Sequence, residues 1–163
     1  MGTLLAIDPG NTKSAYVLLD TETLRPILFE KLPNMDLLAC LPELVERSDD
    51  VAIEMVASYG MAVGADVFET CVWIGRFQQD AAHEGLLPQL VKRNPVKVHH
   101  CHSSKAKDSN IIQALVDRFA PGQPNKGKGT KAAPGWFHGF AADVWQAYAL
   151  AVYVADTRKA VAA

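Results

Sequence analysis

The sequence predicts an α/β domain: a mixed five-stranded sheet in the order β-β-β-α-β-α-β-α-α, flanked by helices. Three observations carry this expectation. The N-terminal stretch holds three β-rich runs whose connections are too short for anything but antiparallel hairpins. Beyond it the apolar period switches to that of helices and then alternates between helix and strand. The 163 residues suit one domain, 1–163, large enough to fold around its own core.

The first two runs, residues 3–8 and 14–19, are joined by Asp8-Pro9-Gly10-Asn11, and Asp20-Thr21-Glu22-Thr23 leads to the third at about 26–32. A helix at about 36–47 follows from Leu37, Leu38, Leu41, Leu44 and Val45, with Pro42 placed to split or kink it. Strand 51–56 and a Gly/Ser-bearing turn then lead into a helix at about 65–83, carrying Val67, Cys71, Ile74, Phe77 and Gln78 on one side with Trp73 nearby. Strand 96–100 comes next, then a helix at about 106–119 capped by Ser103, Ser104 or Asp108. Residues 120–135 hold four glycines, three prolines and three lysines, the composition of a mobile basic loop. The last helix, about 141–158, presents Ala142, Val144, Trp145, Ala147, Tyr148, Leu150, Ala151 and Val154. The aromatics of this helix, with Met55, Trp73 and Phe77, are assigned to the core.

Charge is unevenly divided. The net charge is −2, yet residues 32–91 carry ten acids against two bases, and residues 92–131 nine bases against two acids. Such a chain can turn a basic surface to a polyanion while staying slightly acidic overall. Although 49% of residues are hydrophobic, every apolar run is broken too early to span a membrane. Met1-Gly2-Thr3 leads straight into a strand, leaving no room for a signal peptide. Cys40, Cys71 and Cys101 are odd in number and widely spaced. A reducing, cytoplasmic setting is expected.

Three carboxylates stand where carboxylates are expensive. Asp8 ends the run Leu4-Leu5-Ala6-Ile7, Glu54 ends Val51-Ala52-Ile53, and Asp143 opens the last helix. Desolvating a lone anion costs several kcal/mol, so two strands that both end in acids imply a positive partner between them. A divalent metal held by oxygen ligands is the simplest one. The first strand can lie beside the strand bearing Glu54, which would bring Asp8 and Glu54 to one edge and Asp143 over them.

Taken together, the order of elements and the acids resemble the ribonuclease H-like superfamily, and within it the RuvC-type Holliday-junction resolvases. Ala6-Ile7-Asp8-Pro9-Gly10 resembles the family's first motif and Ala52-Ile53-Glu54 the second. Ala106-Lys107-Asp108-Ser109-Asn110-Ile111-Ile112-Gln113-Ala114-Leu115 resembles the third. Asp143, followed by Trp145, Ala147 and Ala149-Leu150-Ala151, resembles the last. The similarity spans nearly the whole chain and is greatest to the compact bacteriophage variants.

The resemblance implies a homodimeric endonuclease that cuts branched DNA using two Mg²⁺ ions, with Mn²⁺ able to substitute. Asp8 would bridge both ions while Glu54 and Asp143 each hold one side. Family members usually carry a fourth ligand one helical turn before the final acid, but Phe140 stands there, and Gln146 one turn after. His138 and Asp108 are the alternatives. Lys13, Lys105 and Lys107, with Lys126, Lys128 and Lys131 of the basic loop, would meet phosphates. Tyr59 lies just beyond Glu54, where the family places an aromatic that stacks on bases at the junction centre. The apolar helix 65–83 is the candidate dimer interface.

Other readings are open. A ribonuclease H-like nuclease that acts on other nucleic-acid substrates shares the fold and the acids. A non-catalytic DNA- or protein-binding module on the same fold would be expected to have lost the acids, of which three are kept. Two more are weaker. His99-His100-Cys101-His102 invites zinc, but contiguous ligands lack zinc-site spacing, and in a strand His99 and Cys101 would face away from His100 and His102. Asp8-Pro9-Gly10-Asn11-Thr12-Lys13 also fits the phosphate loop of actin/sugar-kinase-type phosphotransferases. That architecture needs two domains around a nucleotide, and this chain supplies one.

Overall fold

A computed structural model describes residues 2–163. The five strands are β1 (Thr3–Asp8), β2 (Lys13–Asp20), β3 (Pro26–Pro33), β4 (Asp50–Met55) and β5 (Gln89–Lys92), and they lie in the order β3-β2-β1-β4-β5. β1 pairs antiparallel with β2, and β2 with β3, as their short turns require. β4 lies parallel to both β1 and β5, because helices supply the crossovers that parallel pairs need. These are α1 (Asn34–Glu46) and α2 (Ala65–His83), and three more helices follow β5: α3 (Arg93–Cys101), α4 (Asp108–Phe119) and α5 (Val144–Ala162).

The period-2 alternation of the central strands divides the core into two layers. Leu5, Ile7, Leu18 and Ile53 face α1 and α2, where Leu37, Leu41, Ile74 and Phe77 meet them. Leu4, Ala6, Ala15, Val17 and Ala52 face the other way, onto α5. The small residues on this second face let α5 approach closely. α5 is then roofed by α3, α4 and an aromatic cluster that includes Phe137 and Phe140. Eleven of its residues, from Val144 to Ala155, are buried, so the helix is enclosed on every side rather than amphipathic.

Several boundaries differ from the sequence expectation, and one element differs in type. Residues 96–100 form no strand; they belong to α3, and the fifth strand comes earlier, at Gln89–Lys92. Pro95 sits in the first turn of α3, where its missing N–H is no loss, and Val96 and His100 fall four apart on the inward side. The histidines therefore follow helical geometry: the His99 ring contacts Asp156 at 2.8 Å, His100 contacts the Ala149 carbonyl at 2.8 Å, and His102 ends the helix in the left-handed region.

α4 begins at Asp108 rather than 106, and the Asn110 side chain, not Ser103, Ser104 or Asp108, accepts the Lys107 N–H at 2.8 Å. α5 begins at Val144 rather than 141, since Ala142 has φ 45° and breaks the helix there. α1 runs unbroken through Pro42. Within residues 120–135, a 3-10 turn at Asn125–Gly127 and a bridge between Gly129 and Pro134 shape the backbone. Among the described residues no helix is long and apolar enough to cross a membrane.

Candidate active site

The sheet register builds the site. Asp8 pairs with Ala15 on β2, Ala15 with Lys31 on β3, and Glu54 with Val91 on β5. Ile7 lies beside Ile53, so Asp8 and Glu54, one step further on, end two adjacent parallel strands. Residues paired across strands share a face. Lys31, Ala15, Asp8, Glu54 and Val91 thus form one row across the sheet, on the side covered by α5.

A closed ring of hydrogen bonds fixes the turn that follows Asp8. The Gly10 N–H donates to Ser14 Oγ (3.1 Å), the Ser14 hydroxyl donates to Asn34 Oδ1 (2.6 Å), and Asn34 Nδ2 donates to the Gly10 carbonyl (2.9 Å). Ser14 and Asn34 are both buried. Gly10 is required because a Cβ there would stand 2.3 Å from the Lys13 carbonyl oxygen.

Asp143 directly precedes α5, and its carbonyl accepts the N–H groups of Gln146 and Ala147, each at 3.0 Å. The helix start adds a partial positive charge that favours an acid. One turn on, Gln146 is buried and turns its side-chain oxygen to Arg93 Nη2 at 2.9 Å. Arg93 opens α3 and reaches both oxygens of Glu54, at 3.4 and 3.3 Å, while also pairing with Asp108 at the start of α4. Lys31 pairs with Asp143. Among the described residues neither cation is within ion-pair distance of Asp8.

Electrostatically, Asp8 and Glu54 are the two acids most affected by their surroundings. Burial, then the neighbouring charges of Glu54, Asp143 and Asp108, push the Asp8 carboxyl well above the usual carboxylate range, with Arg93 acting against them. Burial also raises Glu54, and Arg93 opposes that shift most strongly.

An all-oxygen set of Asp8, Glu54, Asp108 and Asp143 suits a hard divalent cation such as Mg²⁺ and does not suit zinc, which prefers nitrogen and sulfur. As the side chains stand, no three of the described His, Cys, Asp or Glu residues form a closed ligand set. Arg93 and Lys31 hold three of the four carboxylates instead.

The other candidates are more dispersed. His138 is exposed, and its Nδ1 lies 3.2 Å from the Lys128 carbonyl oxygen in the glycine-rich segment. Lys13 starts β2 beyond the Asp8 turn, and Lys105 and Lys107 precede α4; all three are exposed. Lys126 and Lys131 are exposed and Lys128 partly so. Tyr59 is 62% exposed in the segment between β4 and α2. The residues the sequence reading missed are Arg93, Lys31 and the inward role of Gln146. The strand placed at 96–100 concealed Arg93, whereas Lys31 could have been found from the period-2 pattern of β3.

The sheet order and flanking helices give a RuvC-type fold, with acids at the ends of β1 and β4 and before α5. The fold is that of Thermus thermophilus RuvC: one structure superposes with a TM-score of 0.70 at 18% identity, covering 97% of this chain and 96% of that one. A second, T. thermophilus RuvC in complex with Holliday junction substrate, superposes with a TM-score of 0.71 at 15% identity, covering 98% and 97%. No protein-family model and no curated protein sequence matches the chain.

Proposed function

We propose that this protein is a metal-dependent endodeoxyribonuclease that resolves four-way DNA junctions by paired phosphodiester hydrolysis. The observation that carries the reading is that Asp8 and Glu54 end adjacent strands in one row of the sheet, with Asp143 before α5 near enough to act on Asp8, which has no ion-pair partner among the described residues. Likeness to a RuvC structure bound to a Holliday junction supports the choice of substrate.

Asp8, Glu54 and Asp143 would hold Mg²⁺, or Mn²⁺ in its place, with Asp108 or His138 as the additional candidate. The bound metal supplies Lewis acidity and charge neutralisation at the phosphodiester. The protein's own part is positional. The Gly10–Ser14–Asn34 ring holds Asp8 at the strand end, and the buried α5 fixes Asp143 against it. Lys13, Lys105 and Lys107 lie near the acids in the chain and would grip phosphates on either side of the cut. Lys126, Lys128 and Lys131 extend the basic surface, and Tyr59 is free to stack on an unpaired base.

A four-way junction has two-fold symmetry, which a C₂ dimer matches with two active sites. α2 buries Ile74, Phe77 and Ala81 but leaves Phe68 and Val72 at 62% and 61% exposure. That apolar surface supports α2 as the dimer contact.

The decisive experiment incubates the protein with synthetic four-way, three-way, flap and linear DNAs plus Mg²⁺. Symmetric paired cuts confined to the four-way junction are the expected result. Equal cutting of linear DNA would leave a general nuclease, and a strict monomer making single nicks would end the resolvase reading.

A further inference from the structure

We propose, on the reading that the site is a metal-dependent nuclease centre, that Arg93 is a resident cation in the place of one of the two expected ions. The free enzyme then takes up a single divalent ion per chain. The guanidinium joins three elements that would otherwise enclose a second ion: Glu54 at the end of β4, Asp108 at the start of α4, and Gln146 on α5. Gln146 is the telling partner. It stands one helical turn from Asp143 and is buried, so it is placed to serve as a further ligand. Yet it is neutral, and its side-chain oxygen is already taken by Arg93 at 2.9 Å.

The balance of charge agrees. Four carboxylates (Asp8, Glu54, Asp108, Asp143) face two bound cations (Arg93, Lys31), leaving two negative charges, which one divalent ion neutralises. A second ion would leave the centre positive before any phosphate arrived, and Lys97, which also acts on Glu54, adds to that excess. The two cations are not equivalent. Arg93 contacts three side chains and its own side chain is 24% exposed, whereas Lys31 pairs with Asp143 alone, itself 46% exposed. Lys31 can yield to an incoming ion on the open Asp8–Asp143 side, while Arg93 is held by its fork of contacts.

The test counts bound Mn²⁺ by electron paramagnetic resonance, with calorimetry for affinity, on metal-stripped wild type, Arg93→Gln and Arg93→Lys. Gln keeps hydrogen-bonding capacity but not the charge; Lys keeps the charge. Wild type and Arg93→Lys are expected to bind one Mn²⁺ per chain. Arg93→Gln is expected to bind two, or to bind the first about tenfold more tightly, since a like charge beside the ion has gone.

Two ions of similar affinity in the wild type would overturn the inference, even if Arg93→Gln failed to fold. So would an Arg93→Gln protein, folded by circular dichroism, with unchanged count and affinity. No bound Mn²⁺ in any variant would refute the metal reading itself and this inference with it. Failure to cut junctions with one ion bound would refute only the substrate assignment.

Discussion

Replacing Asp8 by Asn tests the site most directly, because it should improve folding while destroying function. Asp8 and Glu54 end adjacent strands, which lie ~4.8 Å apart. Two charges at roughly 6 Å in a medium of effective dielectric ~20 repel by ~3 kcal/mol. Arg93 beside Glu54 and solvent at the open side reduce this, leaving about 1–2 kcal/mol for Asn to relieve without metal. For a domain of this size each kcal/mol moves Tm by about 2–4 °C, so Asp8→Asn should melt roughly 2–8 °C higher in EDTA by differential scanning calorimetry. The sign with pH is fixed as well. A carboxyl raised above its unfolded value favours folding at pH below that unfolded value, and this contribution is lost as pH rises through the folded one. The advantage of Asp8→Asn should therefore grow as pH rises through the raised value of Asp8. Saturating Mg²⁺ should stabilise the wild type and not the variant, and junction cleavage by the variant should vanish. An unchanged or lower Tm in EDTA would show that Asp8 is not a strained anion, and retained cleavage would remove it from the centre.

Two further outcomes follow from buried groups outside the row of acids. Burial lowers the His100 imidazole from 6.5 to about 4, so its contribution is intact above pH 6.5 and is lost as pH falls towards 4. That loss amounts to about 3 kcal/mol at most. His100→Gln keeps a donor for the Ala149 carbonyl and should flatten this part of the pH–stability curve measured by urea unfolding; an unaltered curve would mean that His100 does not cause the acid sensitivity. Asn34→Ala opens the ring around Gly10 and leaves the Ser14 hydroxyl buried without its acceptor, which should cost about 1–3 kcal/mol. It should also slow cleavage more than it weakens junction binding, and equal losses in both would argue against a role in holding Asp8.

The sheet was legible because its signals are local. Alternation, turn residues and connection lengths fixed the antiparallel meander and the place of β4, and the strand-end acids followed from the cost of burying unpaired charge. What escaped was carried by contacts between distant segments. Val96 and Val98 are β-branched and favour a strand locally, but Val96 packs inward as part of a helix and Val91 takes the place at the sheet edge. Arg93 is defined by Glu54, Asp108 and Gln146, which lie 39, 15 and 53 residues away along the chain. No period in the sequence reports such a meeting. The start of α5 was misplaced because Ala142 is a strong helix former whose left-handed backbone is set by the tertiary fold.

The row of charges also bears on how the chain finds its register. In a strand, a slip of one residue exchanges the two faces. Were β1 to dock one step out, Asp8 would turn into the layer of Leu37, Leu41 and Phe77, with neither solvent nor a cation to receive it. A purely apolar β1 would oppose that error less strongly, by packing alone, since both of its faces are oily. The carboxylate therefore acts as a proofreader during assembly, penalising each odd-numbered slip before any substrate is met. An insertion within β1 or β4 should accordingly be harder to accommodate than one of the same length in the turns beyond them.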